Sequence, residues 1–430
     1  MNKRSLIVGL LWLGLVSGDI QALTLEEAVA YTLESNPEVL AALNEYKSRE
    51  HEVTQAKAGY LPRVSVSAAV GQEQRKAPAT GNESVELDRK ELAIQARQTV
   101  FDGFATSAEV KRQRARVEAA EFELQAVSGN TALRAAEVYL NVLRHAELLD
   151  LARDSLWEHQ NIYDQMKLRS ETGVGSKADL DQIAARLALA NANMIVAQNN
   201  FADAQSNYQR VIGLFPNLEN MSKPAATEDL LRTREKAVQQ ALENHPTLKA
   251  AIADVTAAQA QYKGASSAQW PRLELEADKR WDENVGGIEG EDEDFVVSLR
   301  LSYDLFAGGA NRARKKQTAV LISEAKDIRN NSRRQVIESM ELSWNAYDAL
   351  KAQKVFLEQH VEAAKATKTA YAKQFNIGRR TLLDLLNTEN EVVDSKRALI
   401  NADYDQLHAV YRIYNASGSM LAALGIALDS

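Results

Sequence analysis

Polar and apolar positions along this chain of 430 residues follow two periods, and the two alternate in an order that occurs twice. Val64, Val66, Ala68 and Val70 alternate with Arg63, Ser65, Ser67 and Ala69, the two-residue period of a strand. After the turn-rich stretch 76–89, Leu92, Ile94 and Ala96 alternate with Ala93, Gln95 and Arg97, which predicts a hairpin with strands at about 62–74 and 90–101. Beyond Phe101-Asp102-Gly103 the period becomes helical and runs to about Ser170 without a proline, so a helix is expected over 103–170, ~100 Å long at 1.5 Å per residue. A return helix is expected over 177–212. Its Leu180, Leu187, Met194, Phe201 and Tyr208 recur every seven residues, the seam of a left-handed supercoil.

The second half repeats this plan. Leu273, Leu275 and Ala277 alternate with acids, and Phe295, Val297, Leu299, Leu301, Tyr303 and Leu305 alternate with mostly polar residues, predicting strands at about 271–282 and 294–305. Helices are expected over 309–376 and 381–422, the latter carrying Leu386, Val393, Ile400, Leu407, Tyr414 and Leu421 on one seam. Leu61-Pro62-Arg63 matches Trp270-Pro271-Arg272, and Asn36-Pro37 matches His245-Pro246, 25 residues separating the prolines in each half. Phe101 to Gly173 and Phe306 to Gly378 are both 72 residues. Unrelated helical domains would not keep these intervals, so the chain is a duplication. Residues 23–213 form the first repeat and 235–424 the second, with a linker at 214–234 and a tail at 425–430.

Each long helical pair turns at a glycine-containing link, Gly173-Val174-Gly175-Ser176 and Gly378-Arg379-Arg380-Thr381. Asp179 and Asp384 stand three residues after the hydroxyl residue, which predicts a capping box at both return helices. Thr24 and Glu27 have the same spacing before a short helix expected at Leu25 to Ser35.

Lys3 and Arg4 precede an apolar run from Leu6 to Val16 and then Ser17 to Ala22, the pattern of a secretory signal peptide over 1–22 with cleavage after Ala22. No later run is long enough for a spanning helix, so any membrane segment is expected to be a β-barrel. Strands of roughly 10–13 residues, apolar on one face and polar on the other, suit the outer wall and lumen of one. Four strands cannot close a barrel, since about eight is the practical minimum, so several copies must share it.

The net charge of −8 argues against nucleic-acid binding, and the absence of cysteine excludes thiolate chemistry and the acylated anchor of a lipoprotein. His51, His145, His159, His245, His360 and His408 show no ligand spacing, and no nucleotide loop or catalytic constellation is present, so neither a cofactor nor an enzymatic activity is expected. The acids Asp282, Glu283, Glu289, Glu291, Asp292, Glu293 and Asp294 read either as a solvated loop or as a calcium-binding rim.

The sequence resembles the TolC-type outer-membrane efflux and secretion family over essentially its whole mature length. The most specific residues are Leu61-Pro62-Arg63, Phe306-Ala307-Gly308-Gly309 and Phe375-Asn376-Ile377-Gly378-Arg379-Arg380-Thr381-Leu382-Leu383-Asp384-Leu385-Leu386-Asn387. The resemblance implies an α+β membrane protein, a homotrimer sharing a 12-stranded barrel in outer-membrane lipid, continued by a periplasmic α-helical barrel with the linker as a belt. It implies an exit duct that docks through a periplasmic adaptor onto an inner-membrane ABC transporter or other pump. The hairpin tips Gly173, Val174, Gly175, Gly378 and Arg379 would meet the adaptor. Asp179 and Arg380 would close the periplasmic aperture with a salt bridge. Asp384 would form an acidic ring whose three carboxylates raise one another's pKa, and Asn387 takes the place of a second ring. Phe375 stands where a tyrosine is frequent, so a hydrogen bond is lost.

Leu385 to Glu391 and Tyr411 to Ala416 look closest to type I secretion members, which export large adhesins or toxins. Multidrug or metal efflux is the alternative within the class. A periplasmic coiled-coil scaffold without a pore is the alternative outside it, and it has no need of four alternating strands.

Overall fold

The computed structural model describes residues 24–225 and 233–427. The leader expected at 1–22, residues 226–232 of the expected linker and residues 428–430 of the expected tail lie outside them. The chain divides into two compact units. One comprises the residues up to Tyr31 together with Ala135–Ala225 and Gln359–Tyr404; the other comprises Thr32–Arg134, Ala226–Glu358 and the chain from Asp405 on.

Each repeat opens with two helices, α1 (Leu25–Ser35) and α2 (Pro37–Lys57) in the first, α5 (Arg234–Asn244) and α6 (Pro246–Ala265) in the second. Thr24 and Glu27 form the reciprocal cap at α1, and Pro37 and Pro246 occupy the first turn, where a missing N–H costs nothing. Strands β1 (Arg63–Lys76), β2 (Ser84–Phe101), β3 (Arg272–Glu283) and β4 (Glu291–Ser302) follow in pairs. They form one antiparallel sheet in the order β1-β2-β3-β4, which leaves β1 and β4 as open edges.

The register puts Val64, Val66 and Ala68 beside Ala96, Ile94 and Leu92, these beside Ala277, Lys279 and Trp281, and these beside Val297, Phe295 and Glu293; toward the helices Gln98 and Phe101 continue the face with Leu275 and Leu273, then Leu299 and Leu301. This apolar face is bare in the single chain, with Val70 at 84% exposure. Within it, Lys279 pairs with Glu293. The opposite face carries Arg63, Ser65, Arg97, Gln95, Glu276, Asp278, Ser298 and Arg300.

Three strand limits differ from the periodicity reading; one is the start of β4, at Glu291 opposite Glu283 rather than at 294. β2 begins at Ser84, opposite Lys76 at the end of β1, so the turn-rich stretch narrows to 77–83. β4 ends at Ser302, opposite Arg272, because β3 has no residue before Arg272 to continue the ladder and Pro271 has no N–H to give.

Strand passes to helix through left-handed backbone in both repeats, at Gly103 and Phe104 in the first (φ 66° and 70°) and at Gly308 and Gly309 in the second (φ 60° and 85°). This is the physical content of the Phe-x-Gly motif. At Gly103 a Cβ would lie 2.5 Å from the Ser267 carbonyl oxygen, so only glycine fits. Asp102 then accepts from the Thr106 N–H at 2.7 Å and from its hydroxyl at 2.5 Å.

The long helices α3 (Ala105–Glu171) and α7 (Ala310–Asn376) are each 67 residues, and the return helices α4 (Lys177–Ile212) and α8 (Leu382–Ala416) are 36 and 35. The expected heptad stripe on α4 has a companion: Ile183, Ala190, Ala204 and Val211 are buried at the same spacing. α8 ends at Ala416, short of the expected 422. Gly418 (φ 72°) lets the Gly418 and Ser419 N–H groups bond the carbonyls of Asn415 and Tyr414, and α9 (Met420–Ala423) follows as a separate turn.

In the strand-bearing unit, Ala237, Ala241 and Leu248 pack with Val336, Met340, Val410 and Ile413. In the other unit the linker is fastened by Lys223, which pairs with Asp403 and stacks 4.2 Å above the Tyr404 ring, while Tyr139 Oη and the Ser222 backbone exchange two 3.1 Å bonds. Burial, with the Glu147 carboxylate that accepts its hydroxyl at 2.5 Å, raises the Tyr404 pKa.

Candidate functional site

The ends of the two long hairpins lie in the unit built from Ala135–Ala225 and Gln359–Tyr404. At the first tip, Val174 and Gly175 donate to the Arg169 carbonyl at 3.0 and 2.8 Å, and Gly173 reverses the chain at φ 75°. Val174 is 81% exposed, so this tip presents an apolar side chain to solvent. At the second, Arg379 donates to the Gln374 carbonyl at 2.9 Å and Gly378 turns at φ 73°.

The two expected capping boxes differ. Thr381 and Asp384 form the full reciprocal pair, with the Thr381 N–H and hydroxyl donating to Asp384 Oδ2 at 3.2 and 2.9 Å and the Asp384 N–H returning to Thr381 Oγ1 at 3.2 Å. Those bonds, from the backbone first, hold the Asp384 carboxyl below its usual range. Ser176 instead accepts from the Ala178 N–H at 3.1 Å, one residue earlier than a box requires. The cap is thereby satisfied without its aspartate, and Asp179 makes no hydrogen bond or ion pair among the described residues.

Arg380 is held inside its own hairpin. Its Nε donates to Gln374 Oε1 at 3.1 Å, its guanidinium lies 4.2 Å over the Tyr371 ring, and its nearest carboxylate is Asp384 at 4.0 Å. Within one chain it does not meet Asp179. Asn387 is exposed. Phe375 is buried among Ile162, Met166, Ile183, Leu382 and Leu386, and Arg169 stands 5.1 Å over its ring. The hydroxyl absent at this position is thus answered by a cation over an aromatic face, worth about 0.5–2 kcal/mol.

Periodicity alone does not reveal one feature of this unit. Lys368 on α7 reaches Glu389 on α8 at 2.6 Å and Glu158 on α3 at 3.3 Å, tying three helices together. Glu389 is 4% exposed, and the ammonium approaches its Oε2 off the hydrogen-bond axis. A glutamate on the buried side of α8 was the available signal. Also in this unit, His360 Nε2 lies 2.6 Å from Glu391.

The described residues contain no cluster of His, Asp or Glu able to hold a metal ion and no helix long and apolar enough to cross a membrane. The acids between β3 and β4 are mostly strand-end residues, and Glu283 and Glu293 are paired with Lys90 and Lys279.

An open four-stranded sheet with one apolar and one charged face, joined twice to paired helices, defines one protomer of a shared outer-membrane duct. Comparison with known proteins makes this specific. The family described as outer membrane efflux protein matches residues 29–214 and 237–419, which fall on the two repeats. The chain belongs to that family.

Its relatives include the outer membrane efflux protein BepC of Brucella suis, 25% identical over 93% of this chain and 86% of the relative. The alkaline protease secretion protein AprF of Pseudomonas aeruginosa is 24% identical over 96% and 88%. Among solved structures, the Campylobacter jejuni CmeC outer membrane channel superposes with a TM-score of 0.82 at 14% identity, covering 92% of this chain and 86% of that one. The protein is therefore an outer-membrane channel of the TolC type, homotrimeric by its fold family, and not an enzyme. Channels of this type work with periplasmic adaptors and inner-membrane transporters.

Proposed function

We propose that this chain is the exit duct of a type I protein secretion system, working with an ABC transporter and a periplasmic adaptor to export a large adhesin or toxin. The observation that carries the reading is the end-to-end likeness to a protein named for protease secretion, 96% of this chain against 88% of that relative. Efflux of small molecules is the second reading, favoured by the comparable likeness to BepC. The extracellular and surface protein profile of the native organism, with and without the gene, separates them. Loss of one very large protein supports secretion. An unchanged profile with altered drug or metal susceptibility overturns it in favour of efflux.

Within the duct, the hairpin tips at Gly173, Val174, Gly175, Gly378 and Arg379 serve as the adaptor-docking surface, and Asp179, Phe375, Arg380, Asp384 and Asn387 form the periplasmic aperture. Support comes from the single-chain geometry. Asp179 makes no hydrogen bond or ion pair among the described residues and can accept a partner from a neighbouring copy, and Val174 already offers an exposed apolar contact.

A further inference from the structure

The charged face of the sheet is polarised along its length. The register sets Arg63 opposite Arg97 and Arg97 opposite Glu276, with Arg300 opposite Glu274 and Arg272 opposite Ser302 one and two rows nearer the helices. Successive rows on one face are about 6.6 Å apart, so four arginines and two glutamates share a band about 13 Å deep. The glutamates are already engaged. Glu276, 3% exposed, gives one oxygen to Arg97 at 3.2 Å and the other to Arg300 at 2.9 Å, and Glu274 holds Arg272 at 2.9 Å. Arg63 has no ion-pair partner among the described residues. Asp278, one row farther out, accepts from the Gln95 amide at 2.7 Å. At the far end of the same face the balance reverses, with Glu73, Glu91, Asp282, Asp292 and Asp294 against Arg75, Arg89 and Arg280.

In a barrel shared by three chains the polar face lines the lumen. Closure sets β4 of one copy beside β1 of the next, which brings the Arg63 end of β1 toward the Arg300 end of β4. We propose that the helix-proximal end of the barrel lumen is an anion-binding collar, built from Arg63, Arg97, Arg272 and Arg300 of three chains, that takes the carboxylates of passing cargo. The guanidiniums are multivalent donors fixed on a rigid sheet. Two of them share a single carboxylate, so each retains N–H groups free for a second one. The collar requires only that the chain be an outer-membrane duct, and it holds whether the cargo is a polypeptide or a smaller anion.

The test is binding of a fluorescently labelled dodecaglutamate peptide to purified full-length trimers in lipid nanodiscs. Wild type is expected to bind it, more weakly as salt rises, because the exposed arginines are screened. Arg63→Gln, which removes one arginine from each of the three chains, is expected to weaken binding at least tenfold with an unchanged melting profile, since loss of even one charge-assisted contact to the peptide, about 1.4 kcal/mol, is tenfold and no partner is orphaned. Arg63→Gln/Arg300→Gln weakens it further, while Arg75→Gln at the outer end leaves it unchanged. Failure of wild type to bind overturns the collar, as does equal binding by Arg63→Gln, or a loss in Arg75→Gln as large as in Arg63→Gln. Should the double variant fail to fold, Arg63→Gln alone decides. An unchanged extracellular profile alongside intact peptide binding would refute protein secretion and leave the collar standing.

Discussion

Lys368 is the side chain whose removal should most loosen the hairpin end of the protein. Its ammonium sits between Glu389, 4% exposed, and Glu158, with 27% of its own side chain accessible. Burial works against that charge; the close approach and charge of the Glu389 carboxylate, then Glu158, overcome it and raise the Lys368 pKa above its ordinary value. The stabilisation is therefore complete below the usual lysine range and is lost only as pH rises through the raised value. Lys368→Met removes the cation and strands Glu389 in an apolar setting. Breaking a buried pair from one side costs about 3–5 kcal/mol. Partial exposure of Lys368 places this site at the lower end, so about 3 kcal/mol, or roughly a hundredfold in the local opening equilibrium. Amide hydrogen exchange over 382–395 in the intact trimer reads that equilibrium, whereas global unfolding of a trimer is not two-state. Lys368→Met/Glu389→Leu should restore most of the protection, because no charge is then left buried. A change below about threefold in Lys368→Met, or a double variant no better than the single, would refute the ion triad as a fastening.

Two further outcomes follow from the turns. Gly103→Ala should sharply lower the temperature at which trimers dissociate in detergent, by about 3 kcal/mol per chain, because a left-handed alanine also meets the Ser267 carbonyl; Gly308→Ala, left-handed in open space, should cost only about 1 kcal/mol. Equal effects would remove the steric account of the first strand-to-helix switch. Arg380→Ser should raise single-channel conductance in planar bilayers, and unchanged conductance would remove the aperture assignment.

The helical plan was legible because a seven-residue apolar repeat sustained over long proline-free runs admits few other readings, and the glycine links fixed where the helices turn. Strand limits were less legible. Val85 and Leu87 alternate with Glu86 and Asp88 out of phase with Leu92, Ile94 and Ala96, and with Gly81 and Asn82 nearby the whole stretch read as a loop, while the end of β4 is decided by where its neighbour begins rather than by its own Tyr303 or Leu305. The Ser417-Gly418 break cut α8 before Leu421 although the heptad continued across it. Lys368 and Glu158 are 210 residues apart in sequence, and the ion pair of Arg97 with Glu276 depends on which strand lies beside which. No local pattern carries that information.

The duplication itself sharpens what distinguishes the two hairpins. Their long helices are equal in length and their return helices differ by one residue, so geometry makes the tips nearly interchangeable and side chains must account for any difference in role. The second tip is saturated: Asp384 is committed to Thr381, and Arg380 to Tyr371 and Gln374. The first tip leaves Asp179 without a partner among the described residues. An ion pair between Asp179 and Arg380 across copies would therefore cost little on the aspartate side and would require the arginine to leave an aromatic face. If closure uses that pair, Tyr371 opposes it. The exchange of a cation–π contact for an ion pair, each worth on the order of 1 kcal/mol when exposed, is near balance, which is the condition under which a docking partner can tip an aperture open.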